Sequence, residues 1–268
     1  MRTKINHVTV VTMDEQFHVY ENGYVVLEGN TILETGEGEG PADADGTVDG
    51  KNGILMPGMI NTHCHIPMIP FRSLGDDCPD RLRRFLFPLE LEAMNRELIG
   101  QSTRYGVCEL LLSGVTSVLD MYYFEDQVAA ACEEMGIRAY VGQTIIDMET
   151  CDSKNTDQSL AMCEELIRKW KGHERIRPVV APHATNTNPP EVLKAAYELA
   201  ERYDVPYTLH VSEMDYELEM FREKYDQTPA EFLYGLGVLG ERTIAAHCIH
   251  MTDRDVEIFR ETGAKISH

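Results

Sequence analysis

Histidines recur in this chain at the ends of apolar segments, where imidazoles could share one metal ion. The first set lies in Met56-Pro57-Gly58-Met59-Ile60-Asn61-Thr62-His63-Cys64-His65. Residues two apart in a strand face the same side. His63 and His65 therefore project together, and imidazoles so placed can both ligate one Zn²⁺ or Fe²⁺. The second set is Tyr207-Thr208-Leu209-His210-Val211-Ser212-Glu213. His210 is a candidate third ligand, and Glu213, just past the segment, is placed to carry a proton for a metal-activated water. In Thr243-Ile244-Ala245-Ala246-His247-Cys248-Ile249-His250, a largely apolar stretch closes on His247, where a polar group needs a partner or a function. His247 reads as the electrophilic residue that orients the attacking hydroxide, and His250 as structural. A fourth segment, Ala181-Pro182-His183-Ala184, brings His183 to the same mouth. Each has an ordinary reading when taken singly: a chance pair among ten histidines, a surface acid, a histidine packing a loop. Histidines at four strand ends of one barrel point instead to a metal-dependent hydrolase.

The elements that must position them are legible. From Ile54 onward apolar strands alternate with amphipathic helices. The strand candidates are Ile54–His65, Val115–Met121, Arg138–Ile146, Ile176–Ala184, Tyr207–Glu213, Thr243–His250 and Ala264–His268. Glu125–Met135 and Gln158–Lys171 read as helices stopped by Gly136 and Gly172, and Pro189-Pro190 suits a helix start. Thr228 and Thr252 each precede an acid by three residues, the capping-box spacing. Strands separated by helices imply a parallel sheet, and seven of them favour an α/β fold of the (β/α)8 TIM barrel type. No glycine-rich phosphate loop follows the first strand, which disfavours dinucleotide binding. An eighth strand is missing, and a barrel left open there would expose two unpaired edges. The expectation is an incomplete barrel in a truncated sequence. Residues 1–56 read differently, as short strands (Val8–Met13, Tyr24–Glu28, Ile32–Thr35) with turns at Glu21-Asn22-Gly23 and Glu28-Gly29-Asn30, and with Gly36–Asp49 as a loop. The expected division is a small β-rich domain over 1–56 and barrel strands one to seven over 57–268.

Composition narrows the partners. The 268 residues carry 45 Asp and Glu against 24 Lys and Arg, a net charge of −21. That balance repels phosphate backbones and anionic lipid, which argues against nucleic-acid and membrane partners. The N-terminus lacks an apolar signal-like core, and no apolar run approaches the roughly 20 residues of a membrane span. Seven scattered cysteines without a CxxC pair argue against a disulfide scaffold or a zinc ribbon and favour the reducing cytoplasm.

Pro57-Gly58-Met59-Ile60-Asn61-Thr62-His63-Cys64-His65 resembles the first-strand signature of the amidohydrolase superfamily. Pro67-Met68 with Arg72, Asp76-Asp77, His210-x-x-Glu213 and Ala246-His247-Cys248-Ile249-His250 are similar to one branch of it. That branch contains the S-adenosylhomocysteine/methylthioadenosine deaminases and the s-triazine chlorohydrolases. The resemblance runs over the whole chain and places the first 56 residues in a small β-sandwich. It implies metal ligands His63, His65 and His210, Glu213 as proton shuttle and His247 as hydroxide-orienting residue. It also implies that Glu90 contacts substrate, as an acid holding ribose hydroxyls, and that His183 is a second substrate-contacting residue. An ordinary helix-surface acid is the competing reading of Glu90. The metal implied is a single ion, usually zinc and sometimes iron.

Two departures stand out. The branch's last ligand, an aspartate ending strand eight, is missing, so the chain as written is expected to be inactive. Adenosyl-type members carry an arginine near the end of strand three, where this sequence reads Val141-Gly142-Gln143-Thr144-Ile145-Ile146. A neutral amino-purine, nucleoside, pyrimidine or triazine is therefore the expected small-molecule substrate, losing ammonia by hydrolysis. The alternatives are a chlorohydrolase or another C–N hydrolase on the same scaffold, and a non-catalytic metal-binding fragment. A homodimer is expected only because dimers are common in the resembling branch.

Overall fold

The computed structural model describes residues 1–268. Its contacts divide the chain into two compact units, Met1–Met59 and Ile60–His268. The first holds a four-stranded sheet of β1 (Arg2–Val11), β2 (Val19–Glu28), β3 (Thr31–Glu37) and β4 (Gly46–Leu55), in the order β3-β2-β1-β4. Strand β1 pairs antiparallel with β2 and parallel with β4. Val8, Val10 and Val25 form its small core.

Three readings of this stretch are corrected. Glu21-Asn22-Gly23 is not a turn but lies inside β2, where irregular pairing with β1 accommodates it. Gly23 is needed there because a Cβ would stand 2.8 Å from Val10 Cγ2 and 2.9 Å from Tyr20 Cβ. Gly36–Asp49 is not wholly a loop, since β3 runs to Glu37 and β4 begins at Gly46. The long strand expected over Ile54–His65 is two: Ile54 and Leu55 end β4, and β5 (Met59–Cys64) begins after Met56-Pro57-Gly58. Proline offers no N–H to a ladder, so the break falls where pairing is hardest. The turn at Glu28-Gly29-Asn30 is present, with Gly29 at φ +60.

The second unit is an α/β barrel, parallel and nearly closed. After β5 come β6 (Val115–Tyr122), β7 (Arg138–Ile145), β8 (Ile176–Pro182), β9 (Tyr207–Val211), β10 (Thr243–His247) and β11 (Lys265–Ser267), neighbours in that order. Between them run α1 (Phe87–Ala93), α2 (Arg96–Leu112), α3 (Glu125–Met135), α4 (Thr156–Trp170), α5 (Pro190–Tyr203), α6 (Asp215–Tyr225), α7 (Pro229–Leu236) and α8 (Asp253–Thr262). The end strands β5 and β11 do not pair, but Thr62 Oγ1 and Ser267 Oγ approach to 2.5 Å.

Local chemistry sets the helix ends. Asn155 accepts the Gln158 N–H at 3.0 Å to start α4. Thr228 and Thr252 close full capping boxes with Glu231 and Asp255. Gly136, at φ +83, ends α3 in the left-handed conformation that glycine adopts without strain. Strands β8 and β9 are buried along almost their whole length, as a sheet covered on both faces requires. Gly142 in β7 lets β8 approach closely: a Cβ there would lie 2.7 Å from Ala181 Cβ and 2.8 Å from Val179 Cγ2. No helix is long and apolar enough to cross a membrane.

Candidate active site

Parallel strands all end at one rim of the barrel, so residues at their C-terminal ends converge. His63 lies near the end of β5 and His65 just beyond it, His183 follows β8, His210 is in β9, and His247 ends β10. The ring of His63 sits 4.9, 4.8 and 5.0 Å, centre to centre, from those of His65, His210 and His247. One nitrogen from each of His63, His210 and His247 can be chosen so that all lie within 4.8 Å of one another. His65 belongs to the same group, its Nε2 3.3 Å from Nε2 of His210.

That last distance bears on what the site can hold. His65 Nδ1 lies 2.5 Å from the Met121 carbonyl, and His210 Nδ1 lies 2.5 Å from the His183 carbonyl. A carbonyl oxygen only accepts, so both Nδ1 atoms carry hydrogen and each ring, when neutral, presents a bare lone pair on Nε2. Burial holds the His210 imidazole well below its ordinary value, and the neighbouring histidines push the same way. Burial, then His65, His247 and His183, depress His63 to about 3. Two lone pairs facing each other at 3.3 Å repel unless a cation lies between them. His63 Nδ1 is moreover buried without a hydrogen-bond partner. The donor set therefore fits a divalent ion that takes imidazole nitrogen, zinc among them.

Glu213 follows β9 in the same mouth. One of its carboxylate oxygens is 3.8 Å from His247 Nε2. His247 adopts φ +71 and Cys248 φ +52, conformations that turn the chain sharply at the end of β10. Burial lowers the His247 pKa, and the Glu213 carboxylate opposes that shift.

Residues 54–268 match the model of the amidohydrolase family. This chain belongs to the amidohydrolase family. It is 37% identical over 265 residues to a 5-methylthioadenosine/S-adenosylhomocysteine deaminase of Caldanaerobacter subterraneus subsp. tengcongensis, matching 97% of this chain and 60% of that protein. It is 36% identical over 246 residues to a 5'-deoxyadenosine deaminase of Methanothrix thermoacetophila, matching 91% of this chain and 57% of that one. The chain thus spans about 60% of the length of these curated relatives. Among solved structures, an adenosine deaminase from Xanthomonas campestris with bound zinc superposes with a TM-score of 0.93 at 30% identity, covering 98% of this chain and 61% of that one. An atrazine chlorohydrolase from Arthrobacter aurescens, at 23% identity and a TM-score of 0.85 over 98% of this chain and 64% of its own, shares the fold.

In this member of the family the clustered histidines line a cavity of about 330 Å³. Glu90, Tyr122, Tyr123, Thr144, His183 and Glu213 are among the residues that wall it, and no lysine or arginine does. Glu90 is not an exposed helix acid. It is 4% exposed, and its Oε1 accepts the Tyr122 hydroxyl at 2.6 Å. Burial pushes its pKa up to about 7 against the pull of the Tyr122 and Tyr123 hydroxyls. His183 Nδ1 faces Thr187 Oγ1 at 3.1 Å, and burial holds the ring near 3. His250 lies outside the cluster, 3.1 Å from Asp215. Gln143 turns away from the cavity, its amide donating to Asp152 at 2.9 Å. A larger open cleft of about 690 Å³, bordered by Arg83 and Lys224, shares Phe87 with this cavity but contains none of the clustered histidines.

Sequence reasoning missed Tyr122 and Glu217. Tyr122 ends β6, and the strand-end rule that singled out the histidines applies to it equally. Glu217 lies in the first turn of α6, and no local pattern marks it.

Proposed function

We propose that this amidohydrolase hydrolyses the amino group from an adenine-type heterocycle, carried as a nucleoside, and releases ammonia. The observation that carries the reading is the Glu213 carboxylate, 3.8 Å from His247 Nε2 and beside a group of imidazoles in one cavity. His63, His65 and His210 would hold one zinc ion, because their nitrogens converge and two of the three rings are already locked in the ligating tautomer. Zinc, when bound, supplies Lewis acidity that lowers the pKa of a water toward neutrality.

The remaining work falls to the chain's own side chains. Glu213 takes a proton from the attacking water and passes it to the ring nitrogen next to the amino-bearing carbon, which makes that carbon more electrophilic. Neutral His247 orients the attacking oxygen and stabilises the charge that develops on it. A second proton from that oxygen, relayed by Glu213, reaches the amino group. The C–N bond then breaks, ammonia leaves and a carbonyl remains on the ring. Glu90, paired with Tyr122, faces the cavity as an acceptor for sugar hydroxyls, and His183, beside Phe87 and His210, is a second contact for the substrate.

The names of the relatives support an adenosine-type substrate. The cavity wall supports one with an uncharged 5′ substituent, since it offers no cation and Gln143 is engaged with Asp152. The test is ammonia release by the full-length, zinc-loaded protein from adenosine, 5′-deoxyadenosine, 5′-methylthioadenosine and S-adenosylhomocysteine, with aminopyrimidines and triazines alongside. Turnover of the neutral nucleosides, lowered about 10²–10⁴-fold in Glu213→Gln with zinc content unchanged, is expected. Chloride or alkylamine release from a triazine with silence on every nucleoside would overturn it.

A further inference from the structure

One buried carboxylate next to the site takes no part in the chemistry above. Glu217, in the first turn of α6, is 2% exposed. Its side chain reaches back along the chain rather than into the cavity. Oε2 accepts the Glu213 N–H at 2.9 Å. Oε1 accepts the Ser212 N–H at 3.2 Å and the Thr185 hydroxyl. An acid at this helix position ordinarily reaches the N–H of the capping residue, here Met214. Glu217 instead binds the two residues before it, so its bonds hold the loop after β9 rather than the helix end.

That loop is a junction. Ser212 stands at φ +50, a conformation its own side chain does not favour. Its carbonyl accepts the N–H groups of Ile249 at 3.1 Å and His250 at 3.0 Å, directly after the left-handed pair His247-Cys248. Thr185 lies two residues past His183. One carboxylate therefore links the loops that follow β8 and β9 and, through the Ser212 peptide, the loop that follows β10.

We propose that Glu217 is a positioning residue: it fixes the backbone from which Glu213 reaches the substrate, and through Ser212 holds that backbone in register with His247. The kinetic part rests on the reading of Glu213 as the proton carrier, whereas the loop-holding part does not. A carboxylate suits the task because all three of its partners donate. Glutamine keeps the shape but sets an amide N–H₂ against at least one of those donors.

The experiment compares the wild-type protein with Glu217→Gln by steady-state kinetics on the nucleoside panel, zinc content, and amide hydrogen exchange resolved at Ser212 and Glu213. Expected in the variant are a kcat lower by about 10–100-fold, of the size that a misplaced catalytic group produces, a KM within about 2-fold, and zinc content unchanged. The Ser212 and Glu213 amides should exchange about tenfold faster or more, as the loss of a bond worth ~1.4 kcal/mol implies. A merely structural role would lower stability and yield of folded protein and leave kcat per zinc site intact, and that result overturns the proposal. So does unchanged exchange at both amides. If Glu217→Gln does not fold, Glu217→Asp, which keeps the charge but withdraws it by one methylene, is expected to show the same kcat loss and faster exchange. A full-length, zinc-loaded wild-type protein silent on the whole panel would count against the deaminase reading, and the exchange comparison would still decide for or against the role of Glu217.

Discussion

Replacing Glu90 by glutamine should change how the stability of this protein depends on pH, and the size of the change can be worked out beforehand. Glu90 is 4% exposed, and its carboxyl moves from 4.5 to about 7 on folding, because burial disfavours the charge more than the tyrosine hydroxyls favour it. The folded protein thus keeps the proton over a range in which the unfolded chain has lost it. The stabilisation is fully present below 4.5, declines as pH rises toward about 7, and is flat above that. At about 1.4 kcal/mol per pH unit, the whole decline sums to about 3–4 kcal/mol. Glutamine does not titrate, yet its carbonyl can still accept from the Tyr122 hydroxyl. Denaturant unfolding of both proteins from about pH 5 to about pH 8 isolates the effect, because the histidines are common to both and cancel in the difference. The Glu90→Gln protein should gain about 2–3 kcal/mol relative to wild type across that interval. A difference that stays constant with pH would show that Glu90 folds as an ordinary carboxylate, and the account of its burial would be wrong. The same variant should raise KM for nucleosides more than for free bases if the acid accepts from sugar hydroxyls.

Two further outcomes follow from the geometry. Zinc at a hundredfold excess over its Kd should stabilise the wild-type protein by about 2.7 kcal/mol in thermal or denaturant unfolding. His210→Ala should erase that shift and lower bound zinc by about tenfold or more, and a variant that still gains the full stabilisation would remove His210 from the ligand set. Gly142→Ala should cost about 1–3 kcal/mol through overpacking of β7 on β8, where the new Cβ meets Ala181 and Val179 below 3 Å. A neutral result on calorimetry would mean that those strands slide apart freely.

The elements were legible where periodicity and end signals coincided. The boundary of α3 at Gly136 and the capping boxes at Thr228 and Thr252 follow from residues whose conformational and hydrogen-bonding preferences are local. The barrel strands were legible because βα alternation leaves few alternatives, and the convergence of His63, His65, His210 and His247 follows once all strand ends share a rim. What resisted was non-local. Nothing near Gly23 in the sequence reveals that Val10 crowds it, so a turn reading is natural. Glu90 sits on a helix whose pattern shows an acid among apolar residues, and only the tertiary approach of Tyr122 explains its burial. Glu217 binds Thr185, 32 positions away, which no local pattern encodes.

The anchors of His65 and His210 are main-chain carbonyls, those of Met121 and His183. Side-chain replacement at either position leaves the carbonyl in place. Exchange of the residue at position 183 therefore keeps the hydrogen bond that fixes the His210 tautomer, although it removes a ring packed 4.7 Å from that of His210 and part of the cavity wall. The Nδ1 anchors, and with them the tautomers, are insulated from side-chain mutation while the wall beside them can vary. A scaffold wired in this way can alter the molecule it accepts without rebuilding the imidazole cluster beneath.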